Sequence, residues 1–161
     1  MENDTRSMLA ILLLAGALLA MALALALRGR RTTAPALLAS WTLTPGVVDP
    51  RVTQATIHQT ICVSGWTKTV RPPAQYTSRL KLEQLRQLGL PGGPGDYQED
   101  HLISLELGGH PTDPRNLWPE PHPRAEQVDQ VENELNRDVC SGRLKLVEAR
   151  RRESLLKHTK G

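Results

Sequence analysis

The apolar N-terminal segment is the feature that most restricts what this chain can fold into. Met8 to Leu27 is a run of twenty residues without a charged side chain. As a helix rising about 1.5 Å per residue, such a run matches a bilayer core about 30 Å thick. The rest of the 161-residue chain is long enough for one modest domain and too short for two large ones.

Two fates are open for residues 1–27: removal as a signal peptide or retention as a membrane anchor. The small residues Ala22 and Ala24 suit cleavage. The arginines of residues 28–31 instead favour an anchor with the domain inside, because positive charge tends to stay cytoplasmic. The protein is predicted to be exported (secreted, periplasmic or membrane-anchored), and a cytoplasm-facing anchor stays open. An uncleaved segment would contact the membrane through residues 8–27.

Composition divides the remaining chain and limits its partners. Residues 28–46 are rich in Thr, Ala and Pro without a sustained period, which predicts a linker before a domain at residues 47–161. The net charge of +3 is compatible with a polyanionic partner but does not require one. The absence of phenylalanine argues against a stacking platform for single-stranded nucleic acid.

Local patterns predict both helices and strands in the first half of the domain. The dipeptide Asp49-Pro50 suits a helix start. Residues 51–62 fit either a short helix or a strand, because β-branched residues are frequent there. Residues 63–73 are expected to be irregular or extended. A leucine-rich helix follows, with Gly89 as its stop signal.

The second half of the domain is predicted to run strand, loop, strand, helix, helix. Residues 101–107 alternate well enough for a strand, which Gly108 and Gly109 end. A loop and a short extended segment lead to a helix over residues 123–138. A final helix is predicted over residues 141–158, with basic residues at its C-terminal end. The predicted fold class is therefore α+β.

Polar residues within YQEDHLISLELGGHPTDPRNLWPEPH, residues 97–122, are not explained by a turn or a core. Phosphodiester hydrolysis needs a base, and the imidazole of His101 suits that role. The negative charge that develops is stabilised by a divalent cation, for which the Asp100 carboxylate is a suitable ligand. An amide such as Asn116 can pin a loop or orient the base. We therefore expect a nuclease site in this segment.

The stretches EDHLISLELGG and NLWPEP resemble the HNH endonuclease family, whose fold is the ββα-metal finger. That family carries an Asp-His pair on its first strand, an Asn in the connecting loop or second strand, and a His or Asn on the following helix. The resemblance implies that His101 is the general base and Asp100 a metal ligand. It implies that Asn116 holds the loop and supports the base. Flanking helices would surround this HNH-like core.

The chain departs from the family's pattern at the helical position, where Ala125 replaces the expected His or Asn. His122 lies just before the helix, and Asp129 and Asn133 share a helical face because they are four residues apart. These three residues are the candidates for the missing metal ligand. The implied cofactor is Mg²⁺ or Mn²⁺, with Zn²⁺ or Ni²⁺ as alternatives, and no small-molecule cofactor is expected.

The two cysteines, Cys62 and Cys140, are compatible with one disulfide or with two buried thiols. Residues 44–150 also resemble small exported bacterial proteins with an HNH-like centre, in which both cysteines recur. That resemblance favours the disulfide.

The predicted function is metal-dependent endonucleolytic hydrolysis, with DNA expected as the partner in preference to RNA. The candidate phosphate contacts are basic side chains outside the motif, namely Lys68, Arg71, Arg79, Lys81 and the arginines at 150–152. Trp118 is expected in the core, and Glu99, Glu106 and Glu120 in solvent. A degenerate HNH-like module that binds metal or nucleic acid without turnover is the alternative, supported by Ala125. A structural envelope protein is a third.

Overall fold

The computed structural model describes residues 37–160. The apolar segment at residues 8–27, with its predicted cleavage or anchoring, and the first part of the predicted linker, residues 28–36, lie outside the described residues. Within residues 37–160, no helix has the combination of length and apolar character that crossing a bilayer requires.

The described chain combines helices with one small sheet, which confirms an α+β fold. Its helices and strands are, in chain order, α1 (Trp66–Val70), α2 (Ala74–Leu88), β1 (Tyr97–His101), β2 (Leu117–Pro121), α3 (His122–Cys140) and α4 (Leu146–Thr159). Short 3-10 turns lie between several of them. The leucine-rich helix and the helix predicted over residues 123–138 correspond to α2 and α3.

Strands β1 and β2 pair in antiparallel fashion, with Asp100 opposite Trp118 and His101 opposite Leu117. Strand β2 passes directly into α3, and Pro123 stands in the first turn of that helix, where its missing N–H would have no helical partner anyway. The chain therefore runs strand, loop, strand, helix through this region, in the predicted order.

The strand predicted over residues 101–107 is wrong in position. Strand β1 ends at His101, and a 3-10 turn at Leu105–Leu107 follows. Both the N–H and the carbonyl of Ile103 bond to the side chain of Asn116 instead of to a neighbouring strand. The alternating pattern was misleading because the apolar residues of this loop are all buried, whichever way their side chains point.

Two helix starts also differ from the prediction. No helix begins at Asp49-Pro50: Asp49 Oδ1 accepts the Arg51 N–H as an N-cap would, but the single turn closed by the Val52 N–H on the Asp49 carbonyl is not continued. The final helix begins at Leu146 and not at residue 141, because Gly142 adopts a left-handed φ of 78° that turns the chain after α3. Helix α1 lies in a region predicted to be irregular.

The main core lies between α3, α4 and the loop after β1. Its buried apolar residues are Val52, Ile57, Ile61, Ile103, Leu107, Leu135, Val139, Leu146 and Ala149. The buried stripe of α3 also contains Glu132, and that of α4 contains Glu153 and Lys157. Charged side chains are almost never fully buried unless they are paired. The interior therefore encloses a polar centre within apolar packing.

Part of the predicted linker belongs to the folded domain. Residues 37–46, the N-terminal strap, bring Ala39 into a second apolar cluster with Leu102 and Trp118. The Ala39 N–H donates to the carbonyl of Lys157 at 3.1 Å. Trp118 is 3% exposed, which confirms its predicted place in the core.

Cys62 and Cys140 form a disulfide with an S–S distance of 2.03 Å. The bond ties the segment after the 3-10 turn at Ile57–Gln59 to the last residue of α3. The disulfide that the resemblance favoured is thus present.

Candidate active site

A cavity of about 380 Å³ opens beside the end of β1 and the middle of α3. Strand β1 contributes Asp100 and His101 to its lining, and α3 contributes Asp129, Glu132 and Asn133. Regular strand geometry would point Asp100 and His101 to opposite faces. Both nevertheless line the cavity, as do Gln98 and Glu99 before them in the same strand.

His101 lines this cavity although it is only 6% exposed. Its Nε2 lies 3.0 Å from the carbonyl oxygen of Pro111. A carbonyl only accepts, so Nε2 carries the proton and the neutral ring keeps a free lone pair on Nδ1. Burial lowers the pKa of His101 below its ordinary value, against the opposing effects of the Pro111 carbonyl and Asp100. The ring is therefore neutral and able to accept a proton.

Three carboxylates meet at the cavity wall. One oxygen each of Asp100, Asp129 and Glu132 lies within 4.8 Å of the others. Oxygens on opposite sides of an ion are separated by about 4.2 Å around Mg²⁺ and about 4.8 Å around Ca²⁺. Oxygens no farther apart than this can close on a single hard ion such as Mg²⁺ or Mn²⁺. An all-oxygen set suits these hard ions better than Zn²⁺ or Ni²⁺.

Lys157 of α4 penetrates the same cluster from the protein interior. Its ammonium is fully buried and donates to Asp100 Oδ2 at 2.7 Å, to Glu132 Oε1 at 2.6 Å and to the carbonyl of His101. Burial alone would lower the pKa of Lys157, but Asp100 and the other carboxyls hold it well above its ordinary value. The site therefore contains a permanent positive charge.

The carboxyls around Lys157 differ in charge state. Burial opposes ionisation of Asp100, yet Lys157 keeps its pKa below the ordinary value. Burial raises the pKa of Glu132 well above its ordinary value, and that of Glu153 to about 7. It also raises the pKa of Glu120, which pairs with Arg124, to about 8. Asp100 is thus the member that is firmly ionised near neutral pH.

Asn116 is fully buried and bonds only to backbone. Its Oδ1 accepts the N–H groups of Val47 and Ile103, and its Nδ2 donates to the carbonyls of Ile103 and His110. Gly109 lies against this amide, since a Cβ there would be 1.7 Å from the Ile103 oxygen and 2.7 Å from Asn116 Nδ2. The glycine and the asparagine together fix the loop that carries the Pro111 carbonyl.

The expectation that Glu99 and Glu120 are exposed to solvent is wrong. Glu120 has no exposed surface. Glu99 lines the cavity, and both of its carboxylate oxygens are buried without a hydrogen-bond partner among residues 37–160. Burial raises the pKa of Glu99 from 4.5 to about 8. Glu106, the third residue of that set, is partly buried.

The candidates for the missing metal ligand divide into two groups. Asp129 and Asn133 line the cavity, and the Asn133 amide donates to the Asp129 carbonyl on its own helix. His122 is exposed at the first residue of α3 and is not part of the cavity lining. Ala125, at the family's helical position, is 1% exposed and packed in the interior.

The predicted phosphate contacts are spread over the surface. Arg71 is exposed and lines the cavity. Lys68 and Arg79 are exposed elsewhere on α1 and α2. The ammonium of Lys81 is engaged, because it donates to the carbonyls of Pro94 and Tyr97 at 2.7 Å each.

The arginines at 150–152 also have partners within the protein. Arg150 donates to the carbonyls of Leu107 and Val52, and the other two pair with Glu148. These contacts favour a structural role for Arg150.

The sequence prediction missed Glu132, Lys157 and Glu153. Each occupies a helical position that continues an apolar stripe, at the spacing of the buried residues of α3 or α4. A charged residue on a buried stripe was the available signal. Lys157 pairs with Asp100, which is 57 residues earlier in the chain. The spacing of residues along one helix could not predict that pairing.

Comparison with known proteins does not extend this list of residues. No protein-family model matches the chain, and neither a curated protein nor a solved structure matches it.

Proposed function

We propose that this protein is a metal-dependent endonuclease that hydrolyses phosphodiester bonds of DNA, with His101 as general base. One observation carries the proposal: a neutral, oriented imidazole and three carboxylates line a single cavity. A base beside an oxygen-ligand cluster is the combination that metal-assisted hydrolysis needs.

His101 would take the proton from the attacking water through Nδ1. The Pro111 carbonyl holds the Nε2–H at 3.0 Å and so fixes both the tautomer and the ring orientation. The ionised Asp100 next to it favours the imidazolium that forms when the proton is accepted. Asn116 acts at a distance, because it holds the loop that supplies this carbonyl.

Asp100, Asp129 and Glu132 are the residues that would hold the ion. A divalent cation there would stabilise the negative charge on the scissile phosphate and on the leaving oxygen. The two carboxylates of α3 would take over the role of the His or Asn that Ala125 replaces. Arg71, exposed at the cavity, would contact the phosphate backbone.

The chain order around the cavity supports an HNH-like ββα-metal arrangement. The Asp-His pair ends β1, Asn116 precedes β2, and α3 follows directly with two candidate ligands. The proposal rests on this order together with the cavity chemistry.

A catalytically degenerate module that binds metal or nucleic acid is the second candidate. The observation that favours it is Lys157, whose ammonium already contacts two of the three carboxylates. Ala125 in place of a ligand points the same way.

A plasmid-nicking assay tests the first candidate. Residues 28–161, with the disulfide intact, are incubated with supercoiled DNA in EDTA or in Mg²⁺, Mn²⁺, Ni²⁺ or Zn²⁺, and a structured RNA is run in parallel. We expect nicking with Mg²⁺ or Mn²⁺, and His101→Ala should lower it by at least about a hundredfold, as removal of a general base typically does.

His58→Ala is the matched control, because His58 is an exposed histidine on a 3-10 turn outside the cavity. That variant should keep its activity. Full activity of His101→Ala would disprove the assignment of the base. DNA binding by the folded protein without cleavage in any metal would favour the degenerate module.

The ligand set is tested separately by metal-induced stabilisation. An ion that binds only the folded state raises the melting temperature. Mn²⁺ should raise the melting temperature of the parent protein, and Asp129→Asn should reduce that rise. Glu134→Gln, an exposed carboxyl on the same helix outside the cavity lining, is the control and should leave it unchanged.

A further inference from the structure

Lys157 lies behind the wall of the cavity, and hydrolysis itself does not require its charge. It lies in the last turn of α4 and has no exposed surface. An ammonium has three hydrogens to donate. All three are used, on Asp100, on Glu132 and on the carbonyl of His101.

These contacts place Lys157 in direct competition with a bound ion. It takes one oxygen from each of two carboxylates, Asp100 Oδ2 at 2.7 Å and Glu132 Oε1 at 2.6 Å. The same two residues belong to the cluster whose oxygens lie within 4.8 Å of one another. A divalent ion at that cluster would therefore sit beside a positive charge that the fold cannot move into water.

We propose, on the basis of the metal site in the proposed function, that Lys157 is an internal cation that competes with the divalent ion and sets its affinity. It neutralises the buried carboxylates in the metal-free protein, so the site is already folded before an ion arrives. It also weakens ion binding, because like charges repel strongly where water is excluded. Lys157 is thus a positioning residue that keeps the ion exchangeable.

Substitution of Glu153 is an independent way to change the effect of the Lys157 charge on a bound ion. It lies one helical turn before Lys157, with Oε1 3.6 Å from Nζ, and it is not part of the metal cluster. Its Oε1 also accepts the Ser104 N–H at 2.9 Å, a bond that a glutamine can keep. Removing its negative charge would leave more of the Lys157 charge to act on the ion. The two substitutions should therefore change metal affinity in opposite directions.

Calorimetric titration with Mn²⁺ alone, without nucleic acid, measures this effect on the full chain. At about pH 8, above the pKa of about 7 that burial gives Glu153, Lys157→Met should bind Mn²⁺ at least about tenfold more tightly than the parent protein. Glu153→Gln should bind it about threefold more weakly. Glu148→Gln is the matched control on α4, because Glu148 pairs with Arg151 and Arg152 away from the cavity.

The outcomes separate this proposal from the proposed function. Mn²⁺ binding by the parent protein with no gain in Lys157→Met overturns the competition and leaves the metal site standing. No binding by the parent or by either variant overturns both. If Lys157→Met does not fold, Glu153→Gln decides: weaker binding together with the near-UV circular dichroism of the parent protein supports the competition, and any other result overturns it. A merely damaged site would lose affinity, so it cannot imitate the gain expected of Lys157→Met.

Discussion

Burial of the Glu99 carboxyl lowers the stability of the folded protein, and Glu99 lies at the wall of the candidate site. Both carboxylate oxygens are buried at the wall of the cavity, where the described part of the chain offers them no hydrogen-bond partner. A buried carboxyl favours its neutral form, and burial raises the pKa of Glu99 from 4.5 to about 8. Strongly shifted groups of this kind cluster at functional sites. The free energy lost here is consistent with a site shaped for a ligand.

The Glu99 shift predicts a pH-dependent gain on substitution. The folded state holds the proton up to about pH 8 and the unfolded state releases it near 4.5, so rising pH destabilises the protein through this window. Glu99→Gln removes that loss. It should match the parent protein below about pH 4.5 and be about 4 to 5 kcal/mol more stable at pH 8.5, because each pKa unit corresponds to about 1.4 kcal/mol. Urea unfolding at both pH values measures it, with Glu126→Gln as control. Equal gains at both pH values would contradict the prediction.

A substitution at Asn116 distinguishes a structural role of this residue from a chemical one. Asn116→Asp keeps the shape but puts a carboxylate against the carbonyls of Ile103 and His110. We expect a loss of about 3 kcal/mol in the free energy of unfolding at neutral pH, as for other broken buried hydrogen-bond networks. Denaturant unfolding measures it. Unchanged stability with abolished activity would instead assign Asn116 a direct chemical role.

The sequence was informative about single residues where chemistry has few alternatives. Asp100, His101 and Asn116 were predicted to lie together, and the first two line one cavity while the third braces its loop. Glu132 and Lys157 could not be predicted in this way. A lone acid or lysine on a helix is usually solvated, and the pairing that buries them joins separate helices.

Among the elements, the long amphipathic helices were predictable and the short segments were not. Helices α2 and α3 have apolar stripes of ordinary period. The loop after β1 looked like a strand because its apolar residues alternate, but Asn116 fixes its backbone. The N-terminal strap was predicted to be a linker. Its packing depends on contacts with α4, which lies far along the chain, so the local sequence could not indicate it. One of these joins the His158 Nε2 to the Thr44 carbonyl at 3.0 Å.

The strap should therefore be required for stability. Besides the bonds of Ala39 and Thr44 to α4, Trp41 stacks on the His158 ring at 3.7 Å. A chain that begins at residue 47 loses these contacts and uncovers Trp118. We expect it to melt at least about 10 °C below a chain that begins at residue 37. Circular dichroism measures both, and tryptophan fluorescence should report a more exposed Trp118. Equal melting temperatures would show that the strap is dispensable.

At the scale of the whole folded domain, the disulfide and the buried polar cluster lie at different places along α3. The Cys62–Cys140 bond closes a long loop, because its two cysteines are 78 residues apart in sequence. Disulfides of this kind persist in oxidising compartments, which favours an exported location. The bond meets α3 at its last residue, whereas the candidate ligands Asp129 and Glu132 lie nearer the middle of that helix. Stability and metal binding should thus respond separately to reduction.

Replacing both cysteines by serine tests that separation. The bond restricts the unfolded chain, and for a loop of this length its loss should cost about 4 kcal/mol in the chain-entropy model. Guanidinium unfolding of the parent protein with and without dithiothreitol should reproduce that loss, while the Cys62→Ser/Cys140→Ser variant should not respond to the reductant. The variant that remains folded should bind Mn²⁺ with the affinity of the parent, because the carboxylates and Lys157 keep their contacts. A large fall in Mn²⁺ affinity would mean that the disulfide also sets the geometry of α3 at the cavity.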